Sequence, residues 1–245
     1  MISQSLSKIL KATNTLISNN EIILIIKGTG NQTIISNENL IPSQIYLNDD
    51  DIPLFGDKIV YNLIEEQNTV KLIYNSILTS CNGMFFFRDN IIEINFTNFD
   101  FSEVTDMSDM FHNCISLKNI DFSNINTSSL TNMNFMFYEC SSLQNLDLSS
   151  FDTKSVTSMI QTFFNCFSLQ NIDISSFNTS LVNSMSQMFL NCFELKSLDL
   201  SNFNTSSLTS MSQMFLNCNN LQNLNLLSFD TKSVTKIGPI NFFMS

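Results

Sequence analysis

The sequence predicts an α/β solenoid, an array of stacked repeats with parallel strands on one face and short helical turns on the other. Three observations carry this. Several residue ladders share one period, the apolar pattern inside each period switches from alternating to helical, and no unit interrupts the register. Met107, Met133, Met159, Met185 and Met211 are each 26 residues apart. Phe111 to Phe215, Cys114 to Cys218 and Leu117 to Leu221 keep the same interval. A fixed period of this size is the mark of a stacked-repeat protein, in which no unit buries its apolar side chains alone.

Each unit reads M-x-x-M-F-x-x-C-x-x-L-x-x-[IL]-D-[FLI]-S-x-[FI]-[ND]-T-x-x-[VL]-x-x. In Ser116–Ser123, Ile120 and Phe122 alternate with Asn119, Asp121 and Ser123, so this stretch is a short strand with one inward face. Over Leu130–Cys140 the apolar residues fall at helical spacing. Ser158 with Gln161, Ser184 with Gln187 and Ser210 with Gln213 match the capping-box pattern of a helix start. Between strand and helix, the Asn or Asp before the threonine suits a turn.

Residues 81–236 hold six such units, starting at Cys81, with Arg88 in the first cysteine slot. A strand and a short helix in this length, with the core L-x-x-[IL]-x-[FLI], predict a leucine-rich-repeat array. Residues 1–80 fall outside the period. Glu21–Gly28, Ser43–Asp49 and Thr69–Tyr74 are strand-like, and together they predict a β-rich cap on the open end of the sheet. Val70, Leu72 and Tyr74 alternate inward, which places Thr69–Tyr74 beside the first repeat strand. The segment 1–20 is expected to be a short helix or disordered. Residues 237–245 form a broken seventh repeat or tail. Its apolar run Ile240–Met244 leaves three alternatives: it folds over the last unit, the chain continues, or ends pair between molecules.

The unit Met185–Ser210, MSQMFLNCFELKSLDLSNFNTSSLTS, resembles the BspA-like leucine-rich-repeat surface proteins. The shared elements are Met-Phe, Cys, Leu-Asp-Leu-Ser and the Phe-[Asn/Asp]-Thr-Ser turn, over about residues 81–236. The resemblance implies an exported surface protein built for adhesion or recognition.

Composition narrows the function. There are 22 acidic and 11 basic residues, a net charge of −11, which disfavours nucleic acid and anionic membranes. Charged residues are only 13% of the chain, against roughly 25% in ordinary domains. A hydrophobic content of 43% with 23 Phe is too high for a disordered chain. No stretch approaches the ~20 apolar residues of a membrane helix, and the N-terminus lacks the pattern of an export signal. Cell-surface or extracellular location therefore rests on the resemblance, with a cytoplasmic location as the alternative.

The candidate binding face is the outward side of the strands. Asp121, Asp147, Asp173 and Asp199 form an acidic ladder, with Asn95 and Asn225 at its ends. Carboxylates ~5 Å apart repel by about 0.8 kcal/mol in water and about 3 kcal/mol at an effective dielectric constant of 20. The row therefore needs hydration, donors or a cation. Asn119, Asn145 and Asn171, with Ser123, Ser149, Ser175 and Ser201, can supply donors. Two readings remain open: the aspartates tie strand to turn, or they meet a ligand. No calcium-loop pattern is present, so no metal is assigned.

The other ladders point to structure. Cys114, Cys140, Cys166, Cys192 and Cys218 lie 26 residues apart without histidine partners, and stacked parallel Cβ vectors suit neither metal nor disulfide. These five are expected to be buried free thiols. Cys81 lies outside that slot, and its state is open. Asn31, Asn95, Asn126, Asn178 and Asn204 open N-x-[ST] sequons. Asp152 and Asp230 share the repeat slot of the last three, which favours turn chemistry. His112, the only histidine, is expected to be exposed and beside nothing reactive. No nucleophile elbow, phosphate loop, zinc helix or dinucleotide fingerprint appears. The expectation is a non-enzymatic recognition module without cofactor, binding a protein or glycan macromolecule by repetition of the same polar groups. An intracellular interaction scaffold and a cation- or glycan-binding coat protein are the alternatives. End-to-end self-association is open.

Overall fold

The computed structural model describes residues 20–48, 50, 54–55 and 60–238. The expected helix or disorder over 1–20 and the tail after 238 lie outside the described residues, apart from Asn20. Chain order begins with β1 (Asn20–Lys27), β2 (Gly30–Thr33), a single 3₁₀ turn (Glu38–Leu40), β3 (Gln44–Leu47), β4 (Leu54–Phe55), β5 (Val60–Leu63) and β6 (Gln67–Tyr74). One strand per unit follows: β7 (Ile91–Asn95), β8 (Asn119–Asp121), β9 (Asn145–Asp147), β10 (Asn171–Asp173), β11 (Ser197–Asp199) and β12 (Asn223–Asn225).

The repeat strands pair in parallel with each residue opposite its counterpart one unit on. Ile94 faces Ile120, Leu146 faces Ile172 and Leu198 faces Leu224. The hydrogen-bonded ladders are short and come in pairs, β7–β8, β9–β10 and β11–β12, so the sheets are small and open. A second parallel contact runs unbroken from Ser80 through Asp106, Asn132, Ser158, Ser184 and Ser210 to Lys236. Identical units in identical register stack identical side chains. The rings of Phe111 and Phe137 lie 5.2 Å apart, those of Phe137 and Phe163 5.6 Å, and those of Phe163 and Phe189 5.2 Å, all nearly parallel. Each such pair adds about 0.5–1.5 kcal/mol beyond its burial.

The helical turns expected over each M-x-x-M-F-x-x-C stretch are absent. Among the described residues there is no α-helix, and these stretches are successive tight turns. The backbone explains why. In unit four the N–H groups of Met159, Gln161, Phe163 and Asn165 donate 25 residues on, to Ser184 at the unit's own end and to Ser186, Met188 and Leu190 of the next unit. Phe164 and Cys166 instead donate three residues back within their own unit. A helix would need all these donors for itself. The geometry requires two left-handed residues per unit. Gln161, Gln187 and Gln213, the expected capping-box partners, have φ of 53°, 57° and 56°. Asn165, Asn191 and Asn217 have φ of 57°, 63° and 63°. Asparagine tolerates this region better than most residues, which explains its recurrence there.

The N-terminal strands do cover the first repeat, with an order that differs from the expected one. The sheet runs β4-β3-β6-β1-β7-β8. β1, not the Thr69–Tyr74 strand, lies against β7, antiparallel, pairing Leu24 with Ile94. β6 is one place further out and pairs Val70 with Leu24. Ile22, Leu24, Ile26, Val70, Leu72 and Tyr74 are buried. Arg88 stands where later units have cysteine because unit one has no earlier unit beneath it. Its guanidinium instead reaches the Thr33 carbonyl at 3.3 Å.

Candidate binding face

The strand face is built by the shortest possible strands. In β8 to β12 the middle residue packs against the core, fully buried at Leu146 and Leu198 and half-buried at Ile120, Ile172 and Leu224, and its neighbours are more exposed. Leu146 is 4% exposed between exposed Asn145 and Asp147. Asn119, Asn145 and Asn171 therefore form one outward column, and Asp121, Asp147, Asp173 and Asp199 the next. Along the asparagine column, Asn171 Nδ2 donates to Asn145 Oδ1 at 2.8 Å, and Asn119 Nδ2 donates to Glu93 Oε1 at 3.1 Å. A shallow depression across units two to four is lined by the polar Asn119, Asn145, Asp147, Asn171 and Asp173, with the apolar strand centres Ile120, Leu146 and Ile172 between them.

Each aspartate has one oxygen committed to the fold. Oδ1 of Asp121, Asp147 and Asp199 accepts the N–H of Ser123, Ser149 and Ser201 at 2.9 Å, and Oδ1 of Asp173 accepts that of Ser175 at 3.0 Å. The hydroxyls of Ser123 and Ser175 donate to the same oxygens. These bonds hold Asp121 and Asp173 below the usual carboxylate range, the serine hydroxyl contributing most. Asp199 is lowered in the same way, chiefly by the Ser201 N–H. Asn95 and Asn225 make the same cap, to the N–H of Thr97 and Leu227. The strand-to-turn role is thus present, and its oxygen is Oδ1. Oδ2 of Asp121 accepts weakly from Thr97 and Asn95, at 3.3 and 3.4 Å.

Other columns are structural. The sequon asparagines Asn126, Asn178 and Asn204 accept from the N–H two residues on, and Asp152 and Asp230 do likewise. Cysteines 81, 114, 140, 166, 192 and 218 are free and buried. Burial pushes the thiols of Cys114, Cys166 and Cys218 up to about 12.

Two columns escaped the sequence reading. Thr127, Thr153, Thr179 and Thr205 are buried at 0–1% exposure. Thr153 Oγ1 donates to the Asn178 carbonyl at 3.0 Å and accepts the Asn178 N–H at 2.8 Å, stitching unit three to unit four. Their place in the [ND]-T turn slot resembles ordinary turn chemistry, which hid the burial. The second column is aromatic and lies on the turn side. His112 is neither exposed nor isolated. Its Nδ1 is 2.7 Å from Asp109 Oδ1, and its ring lies between Tyr138 at 4.3 Å and Phe86 at 4.7 Å. Tyr138 stacks in turn on Phe164 at 4.5 Å. The signal was available, since Phe86, His112, Tyr138 and Phe164 keep the repeat spacing.

The described residues contain no group of three or more His, Cys, Asp or Glu side chains arranged to hold a metal ion. No helix among them is long and apolar enough to cross a membrane. Residues 79–197 and 144–241 match the family described as "Mycoplasma protein of unknown function, DUF285". The two matches overlap and together span more than half of the chain. No curated protein and no solved structure matches the chain.

Proposed function

Since the chain belongs to the DUF285 family of repeat proteins, we propose that it is a leucine-rich-repeat solenoid of the BspA-like kind, acting as a non-enzymatic recognition module. Its work is adhesion at a cell surface, or contact with another protein there. The strand face is the contact surface. The observation that carries this reading is the division of labour within each aspartate. Oδ1 is held by the following serine, while the exposed carboxylate still faces outward at the same place in successive units. The asparagine column beside it repeats amide donors and acceptors at the same interval. A macromolecule with its own regular spacing meets many such groups at once, and weak contacts add by raising effective concentration.

The test compares wild type with Asp147→Asn/Asp173→Asn for binding to cell surfaces and to an array of proteins and glycans. Asn95 and Asn225 show that asparagine keeps the cap, so the double variant should fold as wild type does. The expected result is capture by wild type and loss in the double variant. Equal capture by both would remove the strand-face carboxylates from the interaction.

A further inference from the structure

The two left-handed positions of each unit show what the stack alone asks for. In units four, five and six they hold Gln161 and Asn165, Gln187 and Asn191, and Gln213 and Asn217. Their amides bond from unit to unit, Asn191 to Asn165 at 2.6 Å and Gln187 to Gln213 at 2.7 Å. Units one to three place four other side chains on the same backbone. Phe87 and Glu139 stand in the asparagine position, with φ of 57° and 58°, and Asp109 and Phe135 in the glutamine position, with φ of 56° and 59°. A bulky ring is strained there. Phe87 is also 51% exposed, so burial does not offset the strain. Strain held in that way points to function.

The four departures converge on His112. Asp109 Oδ1 lies 2.7 Å from its Nδ1. Phe87 stacks on the imidazole at 5.7 Å, and Phe135 lies at 6.5 Å. Glu139 follows Tyr138, whose ring covers His112 at 4.3 Å. The result is a patch of aromatic rings with carboxylates beside them. His112 takes Oδ1 of Asp109, and Asn165 takes Oε1 of Glu139. Among the described residues, the second oxygen of each carboxylate has no hydrogen-bond donor. The adjacent Arg88 is turned to the carbonyls of Thr33 and Phe86.

Rings beside spare carboxylate oxygens suit a planar guanidinium. It stacks on aromatic faces, and its donors fork onto a carboxylate. Lysine fits less well, because its ammonium is compact and strongly hydrated. The net charge of −11 draws cationic groups in from a distance. We propose that this patch, on the turn side and separate from the strand face, docks an arginine-bearing segment of a partner protein. The guanidinium lies against Phe87 and bonds a spare oxygen of Asp109 or Glu139.

Calorimetric titration of the 245-residue chain with an acetylated, amidated tetra-arginine peptide tests this, beside Phe87→Asn, Glu139→Gln and Asp147→Asn/Asp173→Asn. Phe87→Asn leaves the net charge unchanged and restores the residue that four other units carry, so its melting temperature should equal or exceed that of wild type. The expected result is binding to wild type that weakens at least roughly fivefold in Phe87→Asn and in Glu139→Gln. Tetra-lysine should bind wild type more weakly than tetra-arginine does, and the strand-face variant should bind tetra-arginine as wild type does. No binding to wild type overturns the proposal. So does equal binding by Phe87→Asn, which would leave only general charge attraction. A Phe87→Asn chain that melts clearly below wild type would give the ring a packing role, and the proposal fails. It fails too if a neutral glucan binds in place of the peptide and is lost in the same variant.

Discussion

The Cys166 thiol donates to the carbonyl oxygen of Phe137, one unit back, at 3.1 Å. Cys114, Cys140, Cys192 and Cys218 make the same bond to Phe85, Phe111, Phe163 and Phe189. Cysteine is the side chain that suits this slot. It is small enough for the fully packed interior, and its S–H can reach a carbonyl already bonded once by the chain's own turn. The same burial that makes the thiol a good core residue makes its thiolate costly.

A first prediction follows from that cost. The unfolded thiols ionise near 9.0, but Cys114, Cys166 and Cys218 are held up to about 12 in the folded chain. Between those values the folded state binds more protons than the unfolded one, so stability falls as pH rises. Each thiol removes about 1.4 kcal/mol per pH unit in that window. Three together remove about 12 kcal/mol by pH 12, on the scale of a whole domain's stability of about 5–15 kcal/mol. Alkaline titration by circular dichroism should show cooperative unfolding between pH 9 and 12. A thiol reagent at pH 8 should label nothing until denaturant is added. Rapid labelling of the native chain would contradict the burial.

The threonine column gives the second. Thr153→Val keeps the shape but strips the Asn178 N–H and carbonyl of their shared partner. Leaving such groups unpaired costs about 1–3 kcal/mol. Thr153→Ser retains the hydroxyl and should lose much less. Urea unfolding of the two variants checks this, and equal losses would assign the column to packing alone.

These two columns also show how far the sequence was legible. The ladders of Phe, Met, Cys and Leu revealed the stacking because identical units in register must bring identical residues together. The free, buried state of the five ladder cysteines was legible for the same reason, whereas that of Cys81, outside the ladder, was not. The turns were misread as helix because apolar residues at places such as Met133, Met136, Phe137 and Cys140 suit either. What separates the alternatives is the left-handed backbone at Phe135 and Glu139, φ 59° and 58°, and neither residue advertises it. In the cap, β1 and β6 alternate equally well, so the pattern could not say which one touches β7. On the strand face the columns were legible, but the allocation of Oδ1 to a serine depends on turn geometry that no spacing displays.

Glu139 supplies a third prediction. It holds a left-handed backbone that in units two, four, five and six belongs to asparagine: Asn113, Asn165, Asn191 and Asn217. It also accepts from Asn165 at 3.0 Å, at the head of a chain in which Asn217 donates to Asn191 and Asn191 to Asn165. Glu139→Asn keeps an acceptor there and eases the backbone. The variant should be more stable by a few tenths to about 1 kcal/mol, read as a higher melting temperature. A fall would mean that the carboxylate itself matters to the ladder.

The last prediction concerns how stability is distributed along the array. Phe177 is buried at 2% exposure and stacks on Phe203, with centroids 6.5 Å apart. Phe229 occupies the same slot in unit six and stacks on Phe203 from the other side at 6.4 Å, yet it is only partly buried. In a stack where each unit contacts only its neighbours, a unit with a full neighbour on one side only is held by one complete interface in place of two. Among the described residues, unit six has only residues 236–238 on its outer side. Truncating Phe177 removes packing on both sides and should cost about 3–5 kcal/mol. Truncating Phe229 should cost less than half of that. Amide exchange should show the same gradient, with unit six opening first and the Phe137–Phe163–Phe189 stack last. Uniform exchange along the array would mean that the units open together rather than from the end.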